Sequence, residues 1–428
     1  MLKKNIIFQR ISKKKFLLLI GCVLGLLVFI LFHWQIQLAS SPIKVGVLHS
    51  LTGTMAISEK PVVDATLLAI EEINKKGGVL GKKIEPIVVD GKSDWDTFAR
   101  EAERLINEEK VVTIFGCWTS ACRKTVKPVF EKYNHLLVYP IQYEGLEQSP
   151  NIFYTGAAPN QQIIPAVKWA FDNLGKRFFL VGSDYVFPRT ANEIIKDQVA
   201  GLQGEIVGEE YIMLGSDRVK DIVDKIIKSQ PDVILNTING DSNIPFFTAL
   251  RRAGITPDKI PSISFSIAEE ELLYLNIKDI VGDYAAWNYF QSIKSEENRI
   301  FVRKFKQKYG QNRVTDDPIE AGYFGVHLWA QAIEKIGEED VNLIREAMKN
   351  QSLNAPEGIV YLDPNTQHTW KSVRIGQIQD NGQFKIVWNS DKPIRPFPYP
   401  ISRSKVEWEQ FLNDLYQGWN QKWANEES

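Results

Sequence analysis

Residues 113–145 constrain the fold more than any other stretch, because strand and helix signals alternate there over a short distance. Val111–Phe115 is a run of β-branched and aromatic residues, which favours a buried strand over a helix. Thr119 or Ser120 can cap the helix that follows, and His135–Tyr139 repeats the strand pattern. Strands that alternate with helices predict a parallel α/β sheet.

The two loops that leave these strands, Cys117–Ser120 and Ile141–Gly145, carry aromatic, hydroxyl and amide side chains. Loops at the carboxyl ends of parallel strands build the ligand crevice of an open α/β sheet. We therefore expect both loops at a binding site, and their side chains suit a small, neutral, polar ligand.

A similar alternation covers most of the chain. Ile43–His49 and Ile84–Asp90 have strand patterns with a helix between them, and a new strand–helix series begins after residue 159. The length of 428 residues and the hydrophobic fraction of 44% fit two or three domains with real cores. From the residues alone, the sequence predicts two α/β domains.

The first 42 residues differ from the rest in charge and hydropathy. They hold six basic side chains and no acidic one, so the overall charge of −1 leaves −7 on residues 43–428. Such an acidic body argues against a nucleic-acid partner. Phe16–Phe32 is an uninterrupted apolar run that approaches the thickness of a bilayer core once His33 and Trp34 are added.

This apolar run favours an uncleaved membrane anchor. The body would then face the outer side, because basic residues stay on the cytoplasmic side. Two alternatives are a signal peptide cleaved near Ala39–Ser41 and lipidation at Cys22.

Two further cysteines, Cys117 and Cys122, flank the first binding loop. A disulfide between them is possible in an oxidising compartment. Spacing across a turn into a helix often misaligns the Cβ vectors, so we expect two free thiols.

Catalytic signatures are not evident in the sequence. It contains no G-x-S-x-G elbow, no H-E-x-x-H pair and no phosphate-binding lysine loop. The five histidines are scattered, Cys117 has no histidine in its own loop, and metal ligands at recognisable spacing are absent. We therefore expect no enzyme activity, no catalytic residue, no metal and no cofactor.

Three separated segments carry a resemblance to a known family: GCWTSACRK, LLVYPIQYEGLEQSPNIFYTGAAPNQQ and GSDYVFPRTANEIIK. They resemble the urea-binding receptors of ABC uptake systems, which have the type I periplasmic-binding-protein fold, and the related amide sensors of amidase operons. The similarity runs from about Lys44 to about Pro400. It implies two Rossmann-like lobes with parallel sheets, joined by a three-segment hinge.

The resemblance also implies a division of the chain. We expect lobe I in residues 43–158 and 291–356, and lobe II in residues 159–290 and 357–400, with a leader over 1–42 and a helical tail over 401–428. The tail has aromatic residues at helical spacing. We expect it to pack on the body, and the alternative is a helix that faces a partner.

By the same resemblance, nine residues bind the ligand: Trp118, Thr119, Ser120, Tyr139, Gln142, Tyr143, Asp184, Tyr185 and Asp241. Trp118 and Tyr185 would be flat walls for a planar amide. Ser120 would donate to its carbonyl oxygen through its hydroxyl or its backbone N–H, and Asp241 would accept from its NH₂ group. Gln142 favours urea over alkyl amides, since urea has a second NH₂ in place of the alkyl group.

Each of these roles has a structural alternative. Tyr143 could simply form a turn with Glu144, and Asp184 could position a neighbouring loop through Arg189. Asp241 could only cap the helix predicted from Pro245.

Together these features predict a membrane-anchored receptor on the periplasmic or extracellular side that captures urea or a short-chain amide for ABC permease subunits. The alternative is a membrane-tethered amide sensor that signals through a partner protein. The best tiny ligands gain about 1.5 kcal/mol per heavy atom, so urea is limited to roughly 6 kcal/mol, or tens of micromolar. Approaching that limit requires complete enclosure, which two closing lobes supply.

Overall fold

The computed structural model describes residues 24, 26 and 41–425 of the chain. Apart from Leu24 and Leu26, the apolar run Phe16–Phe32 and the basic cluster before it lie outside the described residues. Within the part that is described, no helix combines the length and apolar character needed to cross a membrane. The membrane anchor stays a prediction.

The first sheet has five parallel strands in the order β2-β1-β3-β4-β5. Its strands are β1 (Ile43–His49), β2 (Ile84–Asp90), β3 (Ile114–Gly116), β4 (Leu137–Tyr139) and β5 (Ile152–Tyr154). The bounds predicted for β1 and β2 are confirmed, whereas β3 lies slightly later than the apolar run Val111–Phe115.

The second sheet has seven strands in the order β15-β14-β10-β9-β8-β6-β7. They are β6 (Arg177–Ser183), β7 (Glu205–Ile212), β8 (Val233–Thr237), β9 (Ser262–Ser264), β10 (Tyr284–Trp287), β14 (Arg374–Ile378) and β15 (Phe384–Asn389). Strands β6 to β10 are parallel, and β14 and β15 extend the edge in antiparallel fashion. The predicted α/β architecture with parallel sheets is confirmed.

A third, small antiparallel sheet consists of β11 (Ser352–Ala355), β12 (Gly358–Leu362) and β13 (Thr369–Trp370). Val360 and Leu362 pack in the same apolar core as β1 and the helix that follows residue 316. The limits proposed for the two lobes stay a prediction, and this packing favours a return to the second sheet after Trp370 rather than at residue 357.

Helices cover the faces of both sheets. They are α1 (Ala56–Lys75), α2 (Trp95–Asn107), α3 (Ser120–Lys132), α4 (Ile163–Asn173), α5 (Val186–Gly201), α6 (Lys220–Ser229), α7 (Asn243–Arg252), α8 (Glu269–Leu272), α9 (Ile277–Ile280), α10 (Glu296–Tyr309), α11 (Asp317–Ile336), α12 (Val341–Met348) and α13 (Lys405–Gly418). Many begin at a side-chain cap. The Asp94 carboxylate accepts from the Thr97 amide at 2.7 Å, which satisfies one of the four free N–H groups at the start of α2.

Three segments of the described chain join the two sheets, after β5, after β10 and before β14. Asn288 in the second segment donates through Nδ2 to the Gln161 carbonyl in the first and to the Ser372 carbonyl in the third, each at 2.9 Å. The buried Lys371 ammonium lies 3.2 Å from Glu357 and donates to the Thr155 carbonyl at 3.2 Å. These bonds hold the three connections side by side.

Helix α13 packs on the body, as the aromatic spacing predicted. Trp408 is fully buried and Leu412 is buried beside it. Before the helix, Arg403 bonds Glu193 at 2.6 Å and Asp197 at 2.6 Å, both on α5.

A group of carboxyls lies where α8, of the second sheet's lobe, meets α1 and the start of α11. The Ser58 hydroxyl on α1 donates to Glu271 Oε1 at 2.6 Å. Burial raises the pKa of Glu269 and of Glu270 to about 8, and Glu271 adds repulsion to both. Arg313 opposes the effect on Glu270, while Asp64 adds to it. These groups favour the protonated state when the protein is folded.

We predict that Glu270→Gln stabilises the protein increasingly as pH rises. A carboxyl group whose pKa is raised on folding does not destabilise the folded state at a pH below its unfolded pKa. It destabilises the folded state most at a pH above its folded pKa. The window therefore runs from about pH 4.5 to about 8. Within it, the advantage of the glutamine variant grows by up to ~1.4 kcal/mol per pH unit. Guanidinium unfolding of both proteins at several pH values measures this difference, and a difference that is flat between pH 5 and 8 would contradict the assignment.

Candidate functional site

The site is formed where the order of each sheet reverses. In the first sheet, β1 and β3 are neighbours and their connections leave on opposite sides, and in the second sheet the same holds for β6 and β8. Such switch points leave a crevice at the carboxyl ends of the strands. The loops at the two crevices hold residues 50–54, 117–120, 184–185 and 238–242. The last three of these segments contain residues predicted to bind the ligand.

The two crevices face each other and are in contact. The Thr54 hydroxyl, from the loop after β1, donates to Asp241 Oδ1, from the loop after β8. Gln142 Nε2, from the loop after β4, donates to the Phe265 carbonyl after β9 at 2.9 Å. The structure therefore shows the crevice closed, with direct bonds from one sheet's loops to the other's.

The loop after β3 carries a disulfide between Cys117 and Cys122, with 5.8 Å between their Cα atoms. The expectation of two free thiols was wrong. Cys117 has φ of 62°, in the left-handed region, which turns the chain sharply after β3. This turn gives the Cα separation that a disulfide requires, although only five positions separate the cysteines.

Thr119 is the cap of α3, one of the two possibilities predicted. Its hydroxyl oxygen accepts from the Cys122 amide at 3.0 Å and from Trp95 Nε1 at 2.9 Å. In both contacts the partner of Thr119 is another group of the protein and not a ligand. Thr119 therefore sets where α3 begins and how the loop in front of it lies.

Arg123, one turn into α3, is the centre of a buried ionic network. Its side chain is fully buried and donates from Nε to Glu147 at 2.8 Å, from Nη2 to Glu144 at 3.0 Å and from Nη1 to the Ser120 hydroxyl at 3.0 Å. The guanidinium carbon also lies 4.3 Å from the centre of the Tyr143 ring. Lys124 adds a second cation at 3.3 Å from Glu147.

The charges in this network stabilise each other. Burial alone would lower the pKa of Arg123, but the carboxylates of Glu147 and Glu144 raise it well above its usual value. Burial would likewise raise the pKa of Glu147, yet Arg123 and Lys124 hold it far below its usual value. Arg123 and Glu147 are therefore ionised at neutral pH, whereas burial lowers the pKa of Lys124 even though Glu147 and Glu144 oppose that effect.

This network changes the role expected of Ser120. The Ser120 hydroxyl donates its proton to Glu144 Oε2 and accepts from Arg123. It has no second proton to give a ligand carbonyl, so that expectation was wrong for the hydroxyl group. The lone pair that remains on Ser120 Oγ is an acceptor.

Tyr139 and Tyr143 also use their hydroxyl groups within the protein. Tyr139 donates to the Trp118 carbonyl at 2.5 Å, and Tyr143 bonds His368 Nε2. Burial lowers the pKa of His368 to about 4, so its ring is neutral at pH 7. Tyr143, Tyr154 and His368 form a stack, with 5.1 Å between the tyrosine rings and 4.1 Å between Tyr154 and His368. This stack supports the loop after β4 from below.

The loop after β6 holds Asp184 and Tyr185. Asp184 accepts from Arg189 Nε at 2.7 Å and from Asn425 Nδ2 at 2.9 Å, which agrees with the alternative of a loop-positioning residue. Tyr185 is buried, and burial raises the pKa of its phenol well above the usual value, with Tyr139 and Glu144 adding to the effect. Tyr185 thus lies in electrostatic contact with the network of the first sheet.

Asp241 is placed by the contact with Thr54 rather than by helix capping. Helix α7 begins after Ser242 without a side-chain cap, and Asn243 instead bonds the Ile238 carbonyl at 3.0 Å. The capping alternative for Asp241 was wrong.

Several buried polar atoms around the crevice have no hydrogen-bond partner among the described residues: Trp118 Nε1, Gln142 Oε1 and Ser266 Oγ. Buried polar atoms in proteins are nearly always bonded. Trp118 Nε1 is a donor, Gln142 Oε1 is an acceptor and Ser266 Oγ is both. Gln142 and Ser266 are neighbours, because the Gln142 amide bonds the carbonyl of Phe265.

Sequence reasoning missed Arg123, Glu144 and Glu147 as members of the site. Their signal was present in the pattern of a basic pair, Arg123-Lys124, before a loop with two glutamates, Glu144 and Glu147. Nothing local in the sequence shows that these charges are buried together.

A family model described as the periplasmic binding protein domain matches residues 43–405. The chain belongs to this family. A Leu/Ile/Val-binding protein homolog 7 of Brucella melitensis is 41% identical over 366 residues, which cover 80% of this chain and 90% of that protein. The chain is a solute-binding protein of this family, and it is not an enzyme.

Two other similarities cover very different shares of the chain. A solved solute-binding protein of an ABC transporter from Rhodopseudomonas palustris BisB5, in complex with 3,4-dihydroxybenzoic acid, has a TM-score of 0.76 and 24% identity, and the match covers 83% of this chain and 99% of that one. A protein named limonene hydroxylase, from Geobacillus stearothermophilus, is 36% identical over 121 residues. That match covers 28% of this chain and only 22% of the named protein.

We predict that Arg123→Met lowers the free energy of unfolding by ~3–5 kcal/mol, because it removes the cation that bonds both Glu144 and Glu147 and leaves Lys124 to offset two buried carboxylates. The matched control is Arg299→Met, because the Arg299 side chain is 67% exposed and pairs with Glu296 on the surface. That variant should change stability by less than ~1 kcal/mol. Guanidinium unfolding at pH 7 without ligand compares the two, and equal small losses would contradict the network's importance.

Proposed function

We propose that this receptor binds urea, with short-chain amides as weaker ligands, in the closed crevice between the two sheets. The nine residues named from the resemblance divide into two groups under this proposal. Trp118, Ser120, Gln142, Tyr185 and Asp241 face the ligand. Thr119, Tyr139, Tyr143 and Asp184 hold the loops in place.

One observation carries the proposal: the crevice offers more acceptors than donors. Trp118 Nε1 can donate to one carbonyl oxygen, while Gln142 Oε1 and the remaining lone pair of Ser120 Oγ accept. Ser266 Oγ can serve as either donor or acceptor. Urea has one carbonyl oxygen and two NH₂ groups, so its N–H donors outnumber its acceptor, which matches a site with an excess of acceptors. Acetamide lacks the second NH₂ group and would leave a buried acceptor unpaired, which costs affinity.

The charges near the crevice favour a neutral ligand. Arg123 and Lys124 are paired with Glu144 and Glu147, and Arg189 is paired with Asp184. A carboxylate ligand would therefore enter without a cation to offset its loss of hydration, which is costly in a buried site. This argues against an amino acid or an aromatic acid as the ligand, although the names of relatives and similar structures mention such ligands.

We further propose that the receptor acts outside the cytoplasm and delivers its ligand to ABC permease subunits. The family name and the resemblance support an extracytoplasmic location, and the apolar run Phe16–Phe32 supports a membrane anchor.

Calorimetric titration of the purified protein with urea, acetamide, isoleucine and 4-hydroxybenzoate tests the proposal. We expect urea to bind with a dissociation constant of tens of micromolar or weaker, acetamide to bind about tenfold less tightly, and both acids to show no heat. Binding of isoleucine in preference to urea would refute the assignment.

We predict that Gln142→Met removes the preference for urea over acetamide. The change removes the acceptor for the second NH₂ group and leaves an apolar surface for a methyl group, so urea should lose about tenfold in affinity relative to acetamide. The matched control is Gln162→Met, because Gln162 Nε2 also bonds the Phe265 carbonyl, at 3.2 Å. That control should weaken both ligands by the same factor, and a similar result for Gln142→Met would remove this residue from the selection of the ligand.

A further inference from the structure

The C-terminal tail reaches beyond the family match, which ends at residue 405, and its first part is fixed to the lobe of the second sheet. Helix α13 buries Trp408 and Leu412, and Arg403 in front of it bonds two carboxylates on α5. Beyond the helix the chain turns back toward the crevice.

The end of the tail pairs with the loop that carries Tyr185. Tyr185 and Ala424 form an antiparallel bridge, and the Val186 amide donates to the Trp423 carbonyl at 2.9 Å. The Asn425 amide donates to the Asp184 carbonyl at 3.0 Å. The tail therefore acts as a short strand that holds this loop on its outer side.

The same tail segment touches the other lobe. The Lys124 ammonium on α3 lies 4.9 Å from the centre of the Trp423 ring, and Lys124 is buried in this position. A cavity of about 210 Å³ lies between the two sides, lined by residues of α2 and α3 and, from the tail, by Tyr416, Gln421 and Trp423 among others. Trp423 thus contacts a cation of the network that fixes Ser120, while its backbone holds the loop of Tyr185.

We propose that the tail bridges the two lobes at the mouth of the crevice, and that the contact between Trp423 and Lys124 holds the lobes together. We call this bridge the clasp. Tail and loop move with the lobe of the second sheet, and Lys124 moves with the first, so opening of the crevice must separate the ring from the ammonium. The clasp therefore slows release of the ligand, and it positions Tyr185 as a wall of the site. This inference rests on the proposed function in taking urea as the ligand.

Trp423→Ala tests the clasp in the full-length protein. Donor and acceptor dyes placed through unnatural amino acids at the exposed Lys110 and Lys228, one in each lobe, report the separation of the lobes. After rapid dilution of the urea complex, we expect release to be about 5- to 30-fold faster in the variant, as a desolvated cation–π contact implies. The matched control is Phe411→Ala, since this half-buried ring packs against Trp408 within the tail. The rate of urea release from Phe411→Ala should stay within about twofold of the rate for the unchanged protein.

Equal release rates for the two variants would overturn the clasp. If the original protein shows no change with urea, the proposed function fails, and the clasp is then judged without ligand. In that case the distribution of dye-to-dye distances is compared between the two variants. A longer and broader distribution in Trp423→Ala than in Phe411→Ala supports the clasp, and identical distributions overturn it.

Discussion

The crevice depends on one buried guanidinium. Arg123 bonds Glu144, Glu147 and Ser120 with three different nitrogen atoms, and none of its side chain is exposed. A buried charge is tolerated only when it is paired and fully bonded, so the partners of Arg123 cannot move independently. Through them, the start of α3 and the loop after β4 are held in one fixed arrangement.

That arrangement determines what the crevice can recognise. Because the Ser120 hydroxyl donates its hydrogen bond to Glu144, its oxygen presents a lone pair to the crevice. Arg123 and Lys124 are both paired with carboxylates, so neither is available to offset the charge of an anion. The same scaffold in other members of the family could select other solutes by changing these few side chains, since fold and ligand are separable. Among the crevice groups named above, acceptors outnumber donors, which is why we propose a neutral, donor-rich ligand.

Local signals in the sequence predicted the frame of this molecule well. The strands Ile43–His49 and Ile84–Asp90 were predicted with the bounds that the structure has, because their apolar pattern lies within the segment itself. The contacts of Thr119 and Asp184 were likewise among the stated alternatives.

Features that depend on distant residues were not predictable in the same way. Ser120 and Glu144 are 24 positions apart, and their hydrogen bond exists only because β3 and β4 are neighbours in the sheet. The run Glu269–Glu271 has the composition of a solvated helix turn, yet it is buried against α1. The disulfide depended on the left-handed backbone at Cys117, for which a non-glycine residue gives no sequence signal.

The most direct test of this account is a crystal structure of the protein grown with urea. The account predicts one urea molecule enclosed between the lobes, with its oxygen about 3 Å from Trp118 Nε1 and its nitrogens at similar distances from Gln142 Oε1 and Ser120 Oγ. The Ser120–Glu144–Arg123 bonds should be unchanged. A crevice that holds a carboxylate ligand paired to Arg123, or one that stays without urea at saturating concentration, would contradict it.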